Sequence, residues 1–333
     1  MSRADLLATS EPLRRHLALQ LARITESAAV AAGRFMGRGD RDGADGAAVA
    51  AMRAALATVD MAGVVVIGEG EKDQAPMLYI GEEVGNGRGP AVDVAVDPID
   101  GTRLLARGLP NAITAVALAA RGAMHCPREF YYMEKIAVGA EARGHIDLDA
   151  SVGDNLNAIA AAKGCPTRDL TVVMLDRDRH QVLQEQVRRT GARIKLIHDG
   201  DIAGGILAGL ADSPVDVLMG AGGTPEAVLT AAALRCLGGE IVCRVWPRDD
   251  ADRRRLEQLG HNPRQVFTTT DLVGGDDVFF AATGVTDGDL MRGVRYGSRG
   301  ARTWSLVLDL RDRSVVLLET QALEENDQST TVG

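Results

Sequence analysis

Aromatic residues are scarce in this chain: Phe, Tyr and Trp together make up 3% of 333 residues. The core must therefore be assembled from Ala, Val, Leu and Ile, and base-stacking platforms for single-stranded nucleic acid, which need exposed rings, are excluded. Cysteine is scarce too. Cys126, Cys165, Cys236 and Cys243 form no CxxC pair, which argues against a disulfide framework or a zinc ribbon and for a reducing, cytoplasmic setting. No stretch approaches the roughly 18 apolar residues of a spanning helix, and MSRADLLATSEPLRRHL scatters charges where an export signal carries an apolar run. Neither membrane insertion nor export is indicated. Basic charge is also in deficit, with a net charge of −9, whereas affinity for nucleic-acid backbones comes from clustered Lys and Arg. An anionic ligand would have to be met by a few arginines or by metal ions on the surplus carboxylates.

What is present is a soluble globular composition, 46% hydrophobic and 25% charged. The length exceeds about 100 to 200 residues per domain, so two lobes are expected, 1–165 and 166–333. Residues 11–36 repeat apolar positions at helical spacing (Leu13, Leu17, Leu21, Ile24, Ala28), and 46–59 read as a second, Ala-rich helix. GRGDRDGADG, residues 37–46, reads as a loop between them. Strand-like runs follow at 61–68, 111–120 and 135–148. From about residue 165 strands alternate with helices (170–175, 193–197 and 215–220 as strands), the pattern of βαβ units. Residues 304–320 read as a hairpin closing on Arg311 to Arg313.

The chemistry concentrates in the loops. In DVAVDPIDGTR, residues 93–103, an apolar strand ends in Asp97 and Asp100, followed by Gly101 and Thr102. Asp-Gly between apolar runs also signals a hairpin turn, but Pro98 sits where a central hairpin strand would need an N–H. The alternative places two carboxylates at a strand's carboxyl end, fit to hold hard divalent cations. GEGEKD, 68–73, follows another strand; it lacks the third glycine of a dinucleotide fingerprint, and Glu69, Glu71 and Asp73 would repel a pyrophosphate but suit a cation. Asp40, Asp42 and Asp45 in the Gly/Asp loop do not match an EF-hand, and Asp45 is the candidate helix cap or ligand. GAGGTPEAV, 220–228, makes a helix start with Thr224 as cap and Glu226 in the first turn. Arg177 and Arg179 in DRDRH, and HDGD at 198–201, fall at carboxyl ends of strands, where open α/β sheets bind ligands.

Together and in this order, ITESAAVAA, GRGDRDGADGAAV, VIGEGEKDQAPMLYIGE, AVDPIDGTR, YMEK, HDGD and GGTPEAV resemble class II fructose-1,6-bisphosphatase, within the lithium-sensitive, magnesium-dependent phosphatases. The resemblance implies a layered αβαβα sugar-phosphatase fold, an α/β class with two lobes and mixed sheets. It implies hydrolysis of the 1-phosphate of fructose 1,6-bisphosphate, in gluconeogenesis or Calvin-type carbon metabolism, with Mg²⁺ or Mn²⁺. Asp45 and Glu69 would hold one ion, and Asp97, Asp100 and Glu226 a second. Asp100, Gly101 and Thr102 would contact the cleaved phosphate. Tyr132, Arg177, Arg179, Asp199, Gly200, Asp201 and Gly223 would line the sugar-phosphate site, and Asp73 matches an acid important for activity. Thr102, with Asp73 or Glu71 as base, is expected to orient the attacking water. The partners expected are a sugar bisphosphate and further copies of the chain, as dimer or tetramer, with no nucleic acid and no membrane. The chain departs from the family pattern at Arg41, Asp100 and Arg177-Asp178, where Lys, Glu and Lys-Pro are usual. Sedoheptulose-1,7-bisphosphatase activity, alone or alongside the first, and a catalytically silent sugar-phosphate sensor stay open at this point.

Overall fold

The computed structural model describes residues 11–69, 78–127, 131–298 and 300–322. Two long helices open the described chain, α1 (Glu11–Gly33) and α2 (Arg41–Leu56). On α1, Leu17, Leu21, Ile24 and Ala28 form the buried stripe that their spacing predicts. The second helix starts earlier than expected and takes in residues 41–46 of the Gly/Asp loop. Asp40 explains this: it is the N-cap, and its carboxylate accepts the Gly43 N–H at 2.9 Å, so a local cap outweighs the poor helix propensity of Gly43 and Gly46.

Strands β1 (Ala62–Ile67), β2 (Glu83–Val84) and β3 (Ala91–Asp100) come next, then the short helix α3 (Thr102–Ala106) and β4 (Ile113–Ala120). β5 (Tyr132–Val138) stops well short of the strand expected to 148, because Ala140–Ala142 turns into a 3₁₀ segment. Helix α4 (Val152–Lys163), capped by Ser151, was not anticipated. The alternating half follows: β6 (Thr171–Leu175), α5 (Gln181–Thr190), β7 (Arg193–Ile197), α6 (Ile202–Gly209), β8 (Val217–Gly223), α7 (Thr224–Leu237) and β9 (Glu240–Val245). The chain closes with α8 (Asp250–Gln258), β10 (Val266–Thr268), α9 (Thr269–Leu272) and strands β11 (Val278–Gly284), β12 (Arg295–Gly297), β13 (Gly300–Asp309) and β14 (Ser314–Ala322). The expected hairpin is β13–β14, paired without interruption from Ala301–Ala322 to Asp309–Ser314.

Among the described residues the strands form two mixed sheets. The first runs β12-β13-β11-β4-β3-β1-β2 with β14 on the outer side of β13; the second runs β10-β9-β5-β8-β6-β7. The sheets do not divide at residue 165: β5 lies in the second sheet, and residues 278–322 return to the first. That return is a long-range pairing that no local pattern encodes. Helices α1 and α2 cover one face of the first sheet, α6 and α7 pack between the sheets, and α4 covers the outer face of the second. The order is α/β/α/β/α, the layered α/β class with two mixed sheets. The middle layer is closely packed because α6 is IAGGILAG, buried throughout, and α7 carries an Ala-rich buried face. No helix among the described residues is long and apolar enough to cross a membrane.

Candidate metal and phosphate site

The carboxyl end of β3 builds the centre of the site. Three steps along a regular strand would put Asp97 and Asp100 on opposite faces. Instead, Asp97 pairs with Ala115 and Asp100 with Ile113, so three residues of β3 span two of β4. This extra residue is a bulge, where Pro98, which has no N–H to donate, is tolerated. It turns both aspartates toward the face that Ala115 and Ile113 share with the middle helix layer. The strand ends in the acidic pair, as the sequence suggests, but reaches Asp100 in bulged form.

Neighbouring elements add acids to that centre. Glu69 follows β1, and Glu226 lies in the first turn of α7, whose N-cap is Gly223 rather than the expected Thr224, since the Thr224 N–H donates to the Tyr131 carbonyl. Asp45 sits within α2 and accepts the Thr102 hydroxyl at 3.0 Å, joining α2 to α3. The Asp97 carboxylate accepts the Ile99 N–H at 3.1 Å, and Asp100 accepts the Ile202 N–H from the start of α6 at 3.1 Å. Gly101 takes φ +95° to turn the chain into α3. Gly200 has φ +65°, and a side chain there would meet the Asp100 carboxylate at 2.6 Å.

All five predicted ligands have carboxyl pKa values above the ordinary range. Burial lifts Glu69 to about 7, helped by repulsion from Asp45 and Glu226. Burial also raises Asp97, with Asp100, Glu226 and Glu69 adding to it, and raises Asp100, with Asp201 and Glu226 adding. Glu226 is raised by burial and Asp201, partly offset by Lys135. Asp45 is raised by burial against its Thr102 hydrogen bond. Burial and mutual repulsion thus act in the same direction on Glu69, Asp97, Asp100 and Glu226. Among the described residues the Glu226 Oε2 is buried with no hydrogen-bond partner, a condition that native proteins rarely leave uncompensated. An all-oxygen anionic set of this kind fits Mg²⁺ or Mn²⁺. The fit lies in charge and in the orphaned oxygen, since no three described His, Cys, Asp or Glu side chains form a ready cage.

The other flank is basic and aromatic. Arg179 lies over the Tyr132 ring at 4.9 Å and near Trp246 at 6.0 Å, while its Nε and Nη2 donate to the Ala221 carbonyl. Arg248 also lies over Tyr132, at 6.0 Å. Tyr132 itself pairs with Gly223 across β5 and β8. Arg177 donates to Asp199 at 2.9 Å, and Arg103 holds the same carboxylate with two bonds of 2.6 and 3.2 Å. The Asp201 carboxylate is buried and forms a 2.7 Å ion pair with Lys135. Sequence reading did not single out Arg103, Lys135, Trp246 or Arg248. Arg103 ends the quoted AVDPIDGTR and Lys135 ends YMEK, so both motifs carried a signal; Trp246 and Arg248 had none. Glu71 and Asp73 lie outside the described residues.

Residues 15–322 match the family model described as bacterial fructose-1,6-bisphosphatase, glpX-encoded. The chain belongs to this family. It is 44% identical over 317 residues to fructose-1,6-bisphosphatase 1 class 2 of Escherichia coli K12, covering 91% of this chain and 94% of the relative. Class 2 fructose-1,6-bisphosphatases of E. coli O6:H1 and Shigella flexneri match to the same extent. A bacterial fructose-1,6-bisphosphatase is a phosphoric monoester hydrolase, and both flanks of the site suit such a substrate: acids for cations at one end, arginines at the other.

Proposed function

We propose that the chain hydrolyses the 1-phosphate of fructose 1,6-bisphosphate, giving fructose 6-phosphate and phosphate, with Mg²⁺ or Mn²⁺ held by Asp45, Glu69, Asp97, Asp100 and Glu226. The observation that carries this reading is the shielded, mutually repelling carboxylate cluster with its orphaned Glu226 oxygen. When bound, divalent cations supply positive charge against the phosphoryl oxygens and the departing alkoxide. The chain's own residues do the rest. Thr102, its hydroxyl proton engaged by Asp45, presents oxygen lone pairs that orient the attacking water, and Glu71 or Asp73 takes the water's proton. Asp100, Gly101 and Thr102 border the cleaved phosphate. Arg177 and Arg179, with Tyr132, hold the second phosphate, and Asp199, Gly200 and Gly223 border the sugar.

Phosphate release from fructose 1,6-bisphosphate, sedoheptulose 1,7-bisphosphate and inositol 1-phosphate, each with Mg²⁺, Mn²⁺ or chelator, tests the reading. Metal-dependent release from the fructose ester is expected; release from the inositol ester alone would overturn the substrate class, and no release from any ester would leave a sensor. A homo-oligomer is part of the same proposal. It is supported by β14, a nine-residue edge strand with Val315 and Leu317 exposed by 50% and 76%, the kind of edge that monomers normally protect. A monomer mass by light scattering would contradict it.

A further inference from the structure

One residue of DRDRH, His180, has no part in the reaction described above, yet it is 3% exposed and directly follows Arg179. Its place follows from a split in the second sheet. Strands β6 and β8 are parallel and pair only at Val172 with Val217 and Val173 with Leu218, whereas β8 stays paired with β5 as far as Gly223. Beyond Leu218 the backbone of β8 has lost its β6 neighbour, and a buried backbone group without a partner is costly. The His180 ring fills the split. Its Nδ1 lies 2.7 Å from the Leu175 carbonyl at the end of β6, and its Nε2 lies 2.8 Å from the Ala221 nitrogen in β8. A side chain at Gly220 would meet the ring at 2.9 Å, so that glycine makes room for it.

The two partners fix the chemistry of the ring. A carbonyl only accepts and an amide N–H only donates, so Nδ1 carries the proton and Nε2 the lone pair, in a single neutral tautomer. Burial acts in the same sense, lowering the His180 pKa. The Ala221 carbonyl, in turn, accepts from Arg179 Nε and Nη2 at 3.0 and 2.7 Å. Two consecutive side chains therefore grip the N–H and the C=O of one residue. We propose that His180 is a positioning residue for the substrate: by accepting the Ala221 N–H it fixes the backbone against which Arg179 is braced, and so aims the remaining guanidinium N–H groups at the second phosphate. The proposal rests on the reading of Arg179 as a ligand of that phosphate.

Steady-state kinetics of the full chain with Mg²⁺ test it, using fructose 1,6-bisphosphate and, as a probe without the second phosphate, fructose 1-phosphate. Asparagine and glutamine separate the two bonds of the ring, because the Asn amide reaches the position of Nδ1 and the Gln amide that of Nε2. His180→Asn keeps the Leu175 bond and loses the Ala221 one; it is expected to raise KM for the bisphosphate by about tenfold, with kcat and the monophosphate KM little changed. His180→Gln keeps an acceptor for Ala221 and should stay within about twofold of the native KM. Equal bisphosphate KM values in the two variants would reduce the ring to a wedge and overturn the proposal. In the native chain, two-bond ¹H–¹⁵N correlation should show Nε2 unprotonated, and a protonated Nε2 would overturn it whatever the variants do. An Arg179→Ala variant with unchanged bisphosphate KM would sink the reading of Arg179 and this proposal together; a raised KM there without one in His180→Asn would sink the positioning role alone.

Discussion

Two buried charged groups flank the start of α7, and they are built on opposite principles. Lys135 and Asp201 form a closed pair: their side chains are 1% and 4% exposed, their charges cancel, and Lys135 also reaches the Gly223 carbonyl at 3.4 Å. The neighbouring cluster of Asp97, Asp100, Glu69 and Glu226 has repulsion where the pair has attraction, and one oxygen without a partner. Burying a charge without compensation is costly. The pair is balanced within itself although both members are felt by Glu226, whereas the cluster reads as half of a site that a cation completes.

The largest expected effect comes from breaking the cluster. Asp97→Asn should lower metal-dependent ester hydrolysis by about a thousandfold or more, on the scale that loss of one transition-state electrostatic group costs, while circular dichroism shows an intact fold. Breaking the pair should do the reverse. Lys135→Met leaves Asp201 charged and buried, which costs about 3–5 kcal/mol in urea unfolding, and adding Asp201→Leu should recover much of it. If Lys135→Met left stability unchanged, the contrast between the two groups would collapse.

A smaller effect follows from pH. A carboxyl whose folded pKa lies above its unfolded value contributes stability that is fully present below the unfolded pKa and lost as pH rises through the folded one. For Glu69 that window runs from 4.5 to about 7. The melting temperature of metal-free protein should therefore fall between pH 5 and 8, and added Mg²⁺ should raise it most at pH 8; scanning calorimetry with the opposite slope would argue against an uncompensated cluster. The smallest effect is at the basic flank. Arg103→Lys gives up the two-bond grip on Asp199, but the Arg103 side chain is 48% exposed. KM should rise by about fivefold or less, with kcat little changed.

Much of this was legible in residue order. The βαβ alternation after residue 165 and the acids of IGEGE, DPID and TPEAV are local patterns, and local patterns survive in sequence. The contrast between the two charged groups was not legible. Asp97 and Asp100 share a face only because of the bulge at Pro98, and Lys135 is neutralised by a residue 66 positions away. The return of β11 to β14 into the first sheet is likewise a matter of pairing between distant strands. The start of α2 at Arg41 was missed for a local reason, since the Asp40 cap overrode glycines that argued for a loop.

The central claim is that the unpaired Glu226 oxygen and its neighbours are cation ligands, and equilibrium Mn²⁺ binding followed by electron paramagnetic resonance tests it most directly. The account predicts saturable uptake by the native chain and an affinity weaker by about tenfold or more in Glu226→Gln. Equal affinity in the two proteins would contradict it.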